Sequence, residues 1–237
     1  MTILLREQIL EAMSRPDPDE RLVITPLLDR DVQIGPGSID LRLGTEFLES
    51  TRQTAVEIDP FDDHIEAATA GRTDSKTFVP LADRFVIHPG QFVLGCTLEF
   101  LQLPANLAGQ VVSRSSWGRL GLLVATAVAV QPGFKGVLTL ELVNTGNIPI
   151  VLRPGVRVAQ LLLWAADAPT ADPYGGDRAK YSAPLGPESN RLALEASERQ
   201  RLERIADEIH SRKGYRGRNA TADDDIPTTA TDHAEEP

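Results

Sequence analysis

The sequence predicts a mainly β fold, a compact antiparallel sandwich or barrel, on three observations. Short β-branched or alternating apolar runs recur between Ile39 and Leu163. Prolyl-glycyl pairs separate them at Pro36-Gly37, Pro89-Gly90, Pro132-Gly133 and Pro154-Gly155, the chemistry of tight turns. No helix-length periodicity interrupts the runs, which argues against a βαβ sheet.

The elements follow in order. Ile3 to Met13 places Leu5, Ile9, Leu10 and Met13 at helical spacing, and Pro16-Asp17-Pro18 stops the helix. Strands are expected at Ile39–Leu43, Phe85–Ile87, Gln91–Leu94, Val137–Val143, Ile148–Leu152 and Val156–Leu163. The polar stretch from Asp62 to Lys76 reads as an excursion or loop. Beyond Pro187 the composition changes. Ser189 to Arg212 is charged, with Leu202, Ile205 and Ile209 at helical spacing, so a helix is expected whose narrow apolar stripe docks on the body or on a partner chain. From Gly214 the chain offers little to bury and carries six acids against two arginines, the composition of a disordered acidic tail. The expected organisation is one domain over residues 1–187, a C-terminal helix over 188–213 and a tail over 214–237.

Composition narrows the function. A chain of 237 residues with 41% hydrophobic content can bury one sizeable core. No apolar run reaches the ~20 residues that span a bilayer, and the first residues lack the charge pattern and cleavage site of a signal peptide. A cytoplasmic protein with no membrane partner is expected. The single cysteine, Cys96, excludes an internal disulfide and any paired-cysteine metal site, and its apolar neighbours mark it as core. A net charge of −10 argues against nucleic-acid binding, which needs many phosphates neutralised.

Within this acidic chain the span from Leu101 to Trp164 is locally basic. Between Leu101 and Trp164 the only acid is Glu141, against Arg114, Arg119, Lys135, Arg153 and Arg157. Ser113-Arg114-Ser115-Ser116-Trp117-Gly118-Arg119 sets hydroxyls and loop N–H groups beside two arginines, a phosphate cradle without a Walker signature. A polar hairpin turn with two exposed arginines is the alternative. Leu138-Thr139-Leu140-Glu141-Leu142 alternates, so Leu138, Leu140 and Leu142 share one face and Val137, Thr139, Glu141 and Val143 the other. A carboxylate on an apolar strand face is exposed, paired or desolvated. A solvated edge residue is the bland reading; a proton-transfer group is the functional one. His64-Ile65-Glu66 could open a zinc site only with a second element carrying two cysteines, so it has no counterpart here.

Gly35-Pro36-Gly37-Ser38-Ile39-Asp40-Leu41-Arg42-Leu43-Gly44, Ile87-His88-Pro89-Gly90, Ser113 to Gly121, Thr126-Ala127, Pro132-Gly133-Phe134-Lys135-Gly136, Leu138 to Asn144 and Leu152-Arg153-Pro154-Gly155 resemble, in order and spacing, the dCTP deaminases of the trimeric dUTPase-like superfamily. The resemblance runs from about Leu4 to Gly186. It implies a dUTPase-like distorted, jelly-roll-like β-barrel and a homotrimer with shared active sites. It further implies deamination of dCTP to dUTP and ammonia, with Mg²⁺ carried by the triphosphate and no zinc. Glu141 matches the family's proton shuttle, and Ser115 and Arg119 match residues that position water and base. Arg114, Ser116, Trp117, Gly118, Gln131, Thr139, Leu140, Gln160, Tyr174 and Lys180 match the substrate lining, and the Thr126-Ala127 backbone would read the cytosine edge.

Three positions depart from the family pattern. Gln131 stands where an aspartate faces the sugar 3′-hydroxyl, Val128 where a histidine is frequent, and Pro184 where a glutamine closes over the phosphates. Gln160 matches the branch that also releases pyrophosphate and forms dUMP, whereas Gln131 points away from that second hydrolysis. The resemblance thus leaves a dUTP-forming deaminase, with a dUMP-forming bifunctional enzyme and a catalytically lapsed nucleotide-binding module as alternatives.

Overall fold

Three of the four prolyl-glycyl pairs occupy the centre of a hydrogen-bonded turn, and these turns set the strand order. The amides of Gln91, Phe134 and Val156 donate to the carbonyls of His88, Gln131 and Arg153. The glycines between them, Gly90, Gly133 and Gly155, have φ of 76°, 86° and 92°, the left-handed conformation that the third position of a type II turn requires. The computed structural model describes residues 2–50, 74–124, 129–175, 183–188 and 196–213.

The strands form two large antiparallel sheets and a ribbon. In the first sheet β1 (Thr2–Ile3) and β3 (Ile39–Arg42) both pair with β13 (Arg157–Ala165), which pairs in turn with β8 (Leu107–Ser113) and through it with β10 (Ala129–Val130). The second has the order β5 (Asp74–Phe78), β4 (Glu46–Ser50), β7 (Phe92–Gln102), β11 (Lys135–Asn144), β9 (Leu122–Val124), and β2 (Val23–Thr25) also pairs with β7. The ribbon joins β12 (Ile150–Leu152) to β6 (Phe85–Ile87). Inward residues of both sheets, among them Leu41, Phe47, Val93, Val111, Leu140, Leu142 and Leu161, belong to one apolar cluster. Phe47 and Phe85 stack within it at 4.0 Å between ring centroids.

The mainly β class is therefore as expected. Among the described residues the sheets remain open rather than closing into a hydrogen-bonded barrel, so the architecture is the sandwich form of the expectation.

The N-terminal helix is shorter than its apolar pattern. The helix α1 spans Arg6–Met13; Ile9 is buried, Leu10 and Met13 pack partly, and Leu5 is left outside. A second short helix, α2 (Arg30–Gln33), is capped by Asp29, whose carboxylate accepts from the Val32 amide. The polar excursion needs correcting at its end: Asp74–Phe78 is β5, paired with β4 from Glu46 to Ser50. A half-exposed edge strand tolerates charged residues, which is why composition hid it. The rest of that excursion lies outside the described residues. The C-terminal helix starts at Ala196 and ends at Lys213. Leu202, Ile205 and Ile209 are exposed, so within one chain the expected stripe does not dock on the described body. The tail from residue 214 falls outside the described residues. No helix among those described is long and apolar enough to cross a membrane.

Candidate active site

The Ser-Arg-Ser-Ser segment folds as one short helical turn, α3 (Ser115–Gly118), held from both sides. At its entrance the Ser113 hydroxyl donates to the Val124 carbonyl and accepts from the Val124 amide, at 2.9 and 3.0 Å. At its exit Gly121, with φ of 91°, lies against Gly146, and a Cβ there would come within 2.7 Å of the Gly146 nitrogen. The Trp117 indole N–H donates to the Arg157 carbonyl at 2.9 Å. This bracing leaves Ser115, Ser116, Gly118 and Arg119 exposed.

Beneath α3 lies a cleft of about 450 Å³ lined by Arg42, Arg114, Ser116, Trp117, Leu120, Gly155, Val156 and Arg157. Its charge is organised around Asp40, which is almost completely buried. The Asp40 carboxylate meets Arg157 Nη1 at 2.8 Å and Arg114 Nε at 3.5 Å. Gln160 Nε2 donates to it at 3.0 Å and reaches Ser38 Oγ at 3.3 Å. Three arginines against one carboxylate leave net positive charge beside the Ser116 hydroxyl, suited to an anion that accepts charge-assisted hydrogen bonds. Of the residues singled out in the sequence, Arg114, Ser116 and Trp117 line this cleft and Gln160 bonds to Asp40 beside it. Arg42 in the lining and Asp40 behind it were missed, although Asp40-Leu41-Arg42 places both on one face of a strand by simple alternation.

Glu141 occupies a different surface. On β11, Leu138, Leu140 and Leu142 are buried while Thr139, Glu141 and Val143 are half-exposed, as the alternation predicts. Val137 departs from it and is buried, because a bulge between Val137 and Thr139 resets the register. The side chain of Leu140 is core, so only its main chain is available to a ligand. Among the described residues Glu141 makes no hydrogen bond or ion pair. It faces Leu94 across the strand pair, next to Leu48, Phe92, Leu123 and Val143 on the same face.

The two halves are apart within one chain. The turn α3 leads into β9 at Leu122, which pairs with Asn144. Glu141 is three residues back along β11, about 10 Å at ~3.3 Å per residue. No described hydrogen bond or ion pair joins Glu141 to Ser115 or Arg119.

A third group surrounds the Pro132-Gly133 turn. Gln131, Pro132, Thr170, Asp172, Pro173, Tyr174 and Gly175 line a cleft of about 320 Å³. The Tyr174 amide donates to the Pro132 carbonyl at 2.7 Å, and its ring lies 6.1 Å from that of Phe134. Gln131 and Tyr174 thus line the same cleft. Pro184 plays a structural part, since its carbonyl accepts from the Val137 amide at 2.9 Å and a Cβ on Gly136 would lie 2.5 Å from its ring. The segment 183–188 continues along β11, where the Glu188 amide donates to the Thr139 hydroxyl at 3.2 Å. Thr126, Ala127 and Lys180 lie outside the described residues, as does Val128.

Cys96 is core, as expected; burial pushes its thiol up to about 11, which keeps it protonated and unreactive at neutral pH. Among the described residues no group of three or more His, Cys, Asp or Glu is arranged to hold a metal ion.

Residues 3–166 match the dCTP deaminase-like family. A dCTP deaminase of Halorubrum lacusprofundi is 43% identical over 192 residues, covering 80% of this chain and 91% of that protein. A dUMP-forming dCTP deaminase of Mycobacterium tuberculosis is 44% identical over 177 residues, covering 72% of this chain and 87% of that one. The crystal structure of 2′-deoxycytidine 5′-triphosphate deaminase from Agrobacterium tumefaciens superposes with a TM-score of 0.52 at 25% identity over 69% of this chain. The match spans about half, 48%, of the length of that crystallised chain.

Proposed function

We propose, from the premise that this chain belongs to the dCTP deaminase-like family, that it hydrolyses the C4 amino group of dCTP to give dUTP and ammonia. The observation that carries the reading is a half-exposed carboxylate without a described partner, Glu141, the single acid of a locally basic span in an acidic chain. Glu141 takes a proton from water as the oxygen bonds to C4, and passes it to ring N3. Glu141 then takes the second proton from the new C4 hydroxyl and delivers it to the amine, so that the C4–N bond breaks as the C4 carbonyl forms: water is consumed and ammonia leaves. The arginine-lined cleft receives the phosphate end, with Arg114 and Ser116 as ligands. Gln131 and Tyr174, which share a cleft, take the sugar side. Mg²⁺ enters as part of the substrate, since a triphosphate brought to a chain of net charge −10 gains from a cation on its oxygens.

The active unit is a homotrimer in this reading. Ser115 and Arg119 stand exposed on one part of the chain and Glu141 on another, so a second copy is the means of bringing them together. The apolar face around Glu141 supports this: Phe92 and Leu123 are 38% and 47% exposed beside Leu48, Leu94 and Val143.

A second reading is the dUMP-forming enzyme, favoured by Gln160 on the Asp40 side of the cleft and by relatives named so at similar identity. The deciding experiment incubates the purified protein with dCTP, CTP, dCMP and Mg²⁺ and follows ammonia, uracil nucleotide and pyrophosphate together. Ammonia with dUTP is expected from dCTP; pyrophosphate with dUMP would establish the second reading, and binding without turnover would refute both.

A further inference from the structure

The arginine-lined cleft is gripped from behind by two polar residues that touch no ligand. Glu99 on β7 and Gln33 on α2 are both completely buried. Glu99 accepts from the Arg42 amide through Oε2 and from Gln33 Nε2 through Oε1, each at 2.9 Å. Gln33 Nε2 also donates to the Asp40 carbonyl at 3.1 Å, and its Oε1 accepts from Arg42 Nε at 3.0 Å and from the Asp29 amide at 3.2 Å. Arg42 in turn donates through Nη1 to the Gly155 carbonyl at 2.6 Å. The network therefore ends on Arg42 and Gly155, which line the cleft, and on Asp40, which pairs with its arginines. A carboxylate buried in an apolar interior is costly unless all its bonds are made, and here the bonds serve the backbone under Asp40 and Arg42.

We propose that Glu99 is a positioning residue for this cleft: with Gln33 it fixes β3 so that Asp40 and Arg42 hold the arginines in the geometry that receives a polyphosphate. The inference rests on reading the cleft as the phosphate end of the nucleotide site. Both Glu99 oxygens face donors, so the ionised form fits and a neutral carboxyl would turn its hydrogen against one of them. Burial pushes this carboxyl up to about 7, against the opposing pull of the Arg42 amide and Gln33. Arg42 is the charged side chain facing it among the described residues, and the Thr97 hydroxyl donates to the Glu99 main-chain carbonyl at 2.8 Å. The grip is complete above neutral pH and loosens below it.

The test compares full-length Glu99→Gln with the parent protein at pH 8 and pH 6, using inorganic tripolyphosphate binding by calorimetry and dCTP turnover. At pH 8 the variant binds tripolyphosphate about tenfold more weakly, the effect of one lost charge-assisted hydrogen bond. The KM for dCTP rises by the same factor while kcat stays within about twofold. At pH 6 the ratio of variant to parent Kd falls toward one, because the parent has lost the carboxylate as well; comparison at equal pH cancels titration of the phosphate. Exchanging the pair, Gln33→Glu with Glu99→Gln, recovers part of the affinity at pH 8. A Kd ratio of one at pH 8, or a ratio that is the same at both pH values, overturns the proposal. If Glu99→Gln does not fold, sulfate binding to the parent decides, since sulfate keeps its charge over this range: affinity falling between pH 8 and pH 6 supports the role and a flat profile overturns it. Failure of the parent to deaminate dCTP would sink the activity alone, because the tripolyphosphate arm reads the cleft directly.

Discussion

At the residue scale the proposed chemistry rests on one carboxylate. Glu141 projects from the outer face of β11 while its neighbours Leu140 and Leu142 anchor the strand in the core, so its position is set by packing and its oxygens are left available. Glu141→Gln keeps the volume and removes the proton shuttle. Deamination should fall by ~10²–10⁴-fold with dCTP binding retained, measured as ammonia release against calorimetric affinity; near-normal turnover would remove Glu141 from the mechanism. Glu141 was singled out in the sequence because its strand alternates cleanly and because no other acid lies between Leu101 and Trp164. Glu99 was not. It pairs with Gln33 across 66 positions, and such a bond leaves no local periodicity to read. The same applies to Asp40, whose partners Arg114, Arg157 and Gln160 all come from distant parts of the sequence.

At the scale of elements, turns were easier to read than edges. The pairs at Pro89, Pro132 and Pro154 each close a turn whose glycine has positive φ, a local demand that the dipeptide itself meets. The hairpin of β4 and β5 went unseen because Asp74-Ser75-Lys76 looks like loop composition, and its pairing depends on Glu46–Ser50 across a long insertion. The bulge in β11 was equally hidden, since nothing in Val137-Leu138-Thr139 signals a register change. Its consequence is the Val137 amide that donates to the Pro184 carbonyl. Gly136, with φ of 145°, sits directly under the Pro184 ring. Gly136→Ala would meet both the ring and an unfavourable backbone conformation. It should lose about 1–3 kcal/mol of stability, read as a lowered Tm, with a raised KM for dCTP as the segment 183–188 shifts beside Thr139. An unchanged Tm would show that this segment is not seated on β11.

At the scale of the whole molecule, the proposed site, with Glu141 apart from Ser115 and Arg119 in one chain, calls for an assembly. Light scattering at micromolar concentration should return the mass of three chains, and a monomer with full activity would contradict the site model. Mixed and reassembled Arg119→Ala and Glu141→Gln chains should regain part of the activity that each lacks alone, because some sites then combine an intact Arg119 with an intact Glu141. No recovery in mixed trimers would place both residues in a site built by a single chain. The change of composition after Pro187 was read as a helix, and Ala196–Lys213 is helical. Leu202, Ile205 and Ile209 are exposed on that helix, and a narrow stripe of three apolar residues fits many partners equally well.

The burial of Cys96 has a practical consequence. It is the chain's single thiol, it is 4% exposed, and its sulfur lies against Gly44, where even a Cβ would approach within 2.7 Å. Thiol-directed reagents therefore find the native fold silent. A cysteine introduced at Leu120, which is 62% exposed on the rim of the arginine cleft, would be the sole labelling point, and a fluorophore there could report ligand arrival and subunit exchange without first removing a native cysteine.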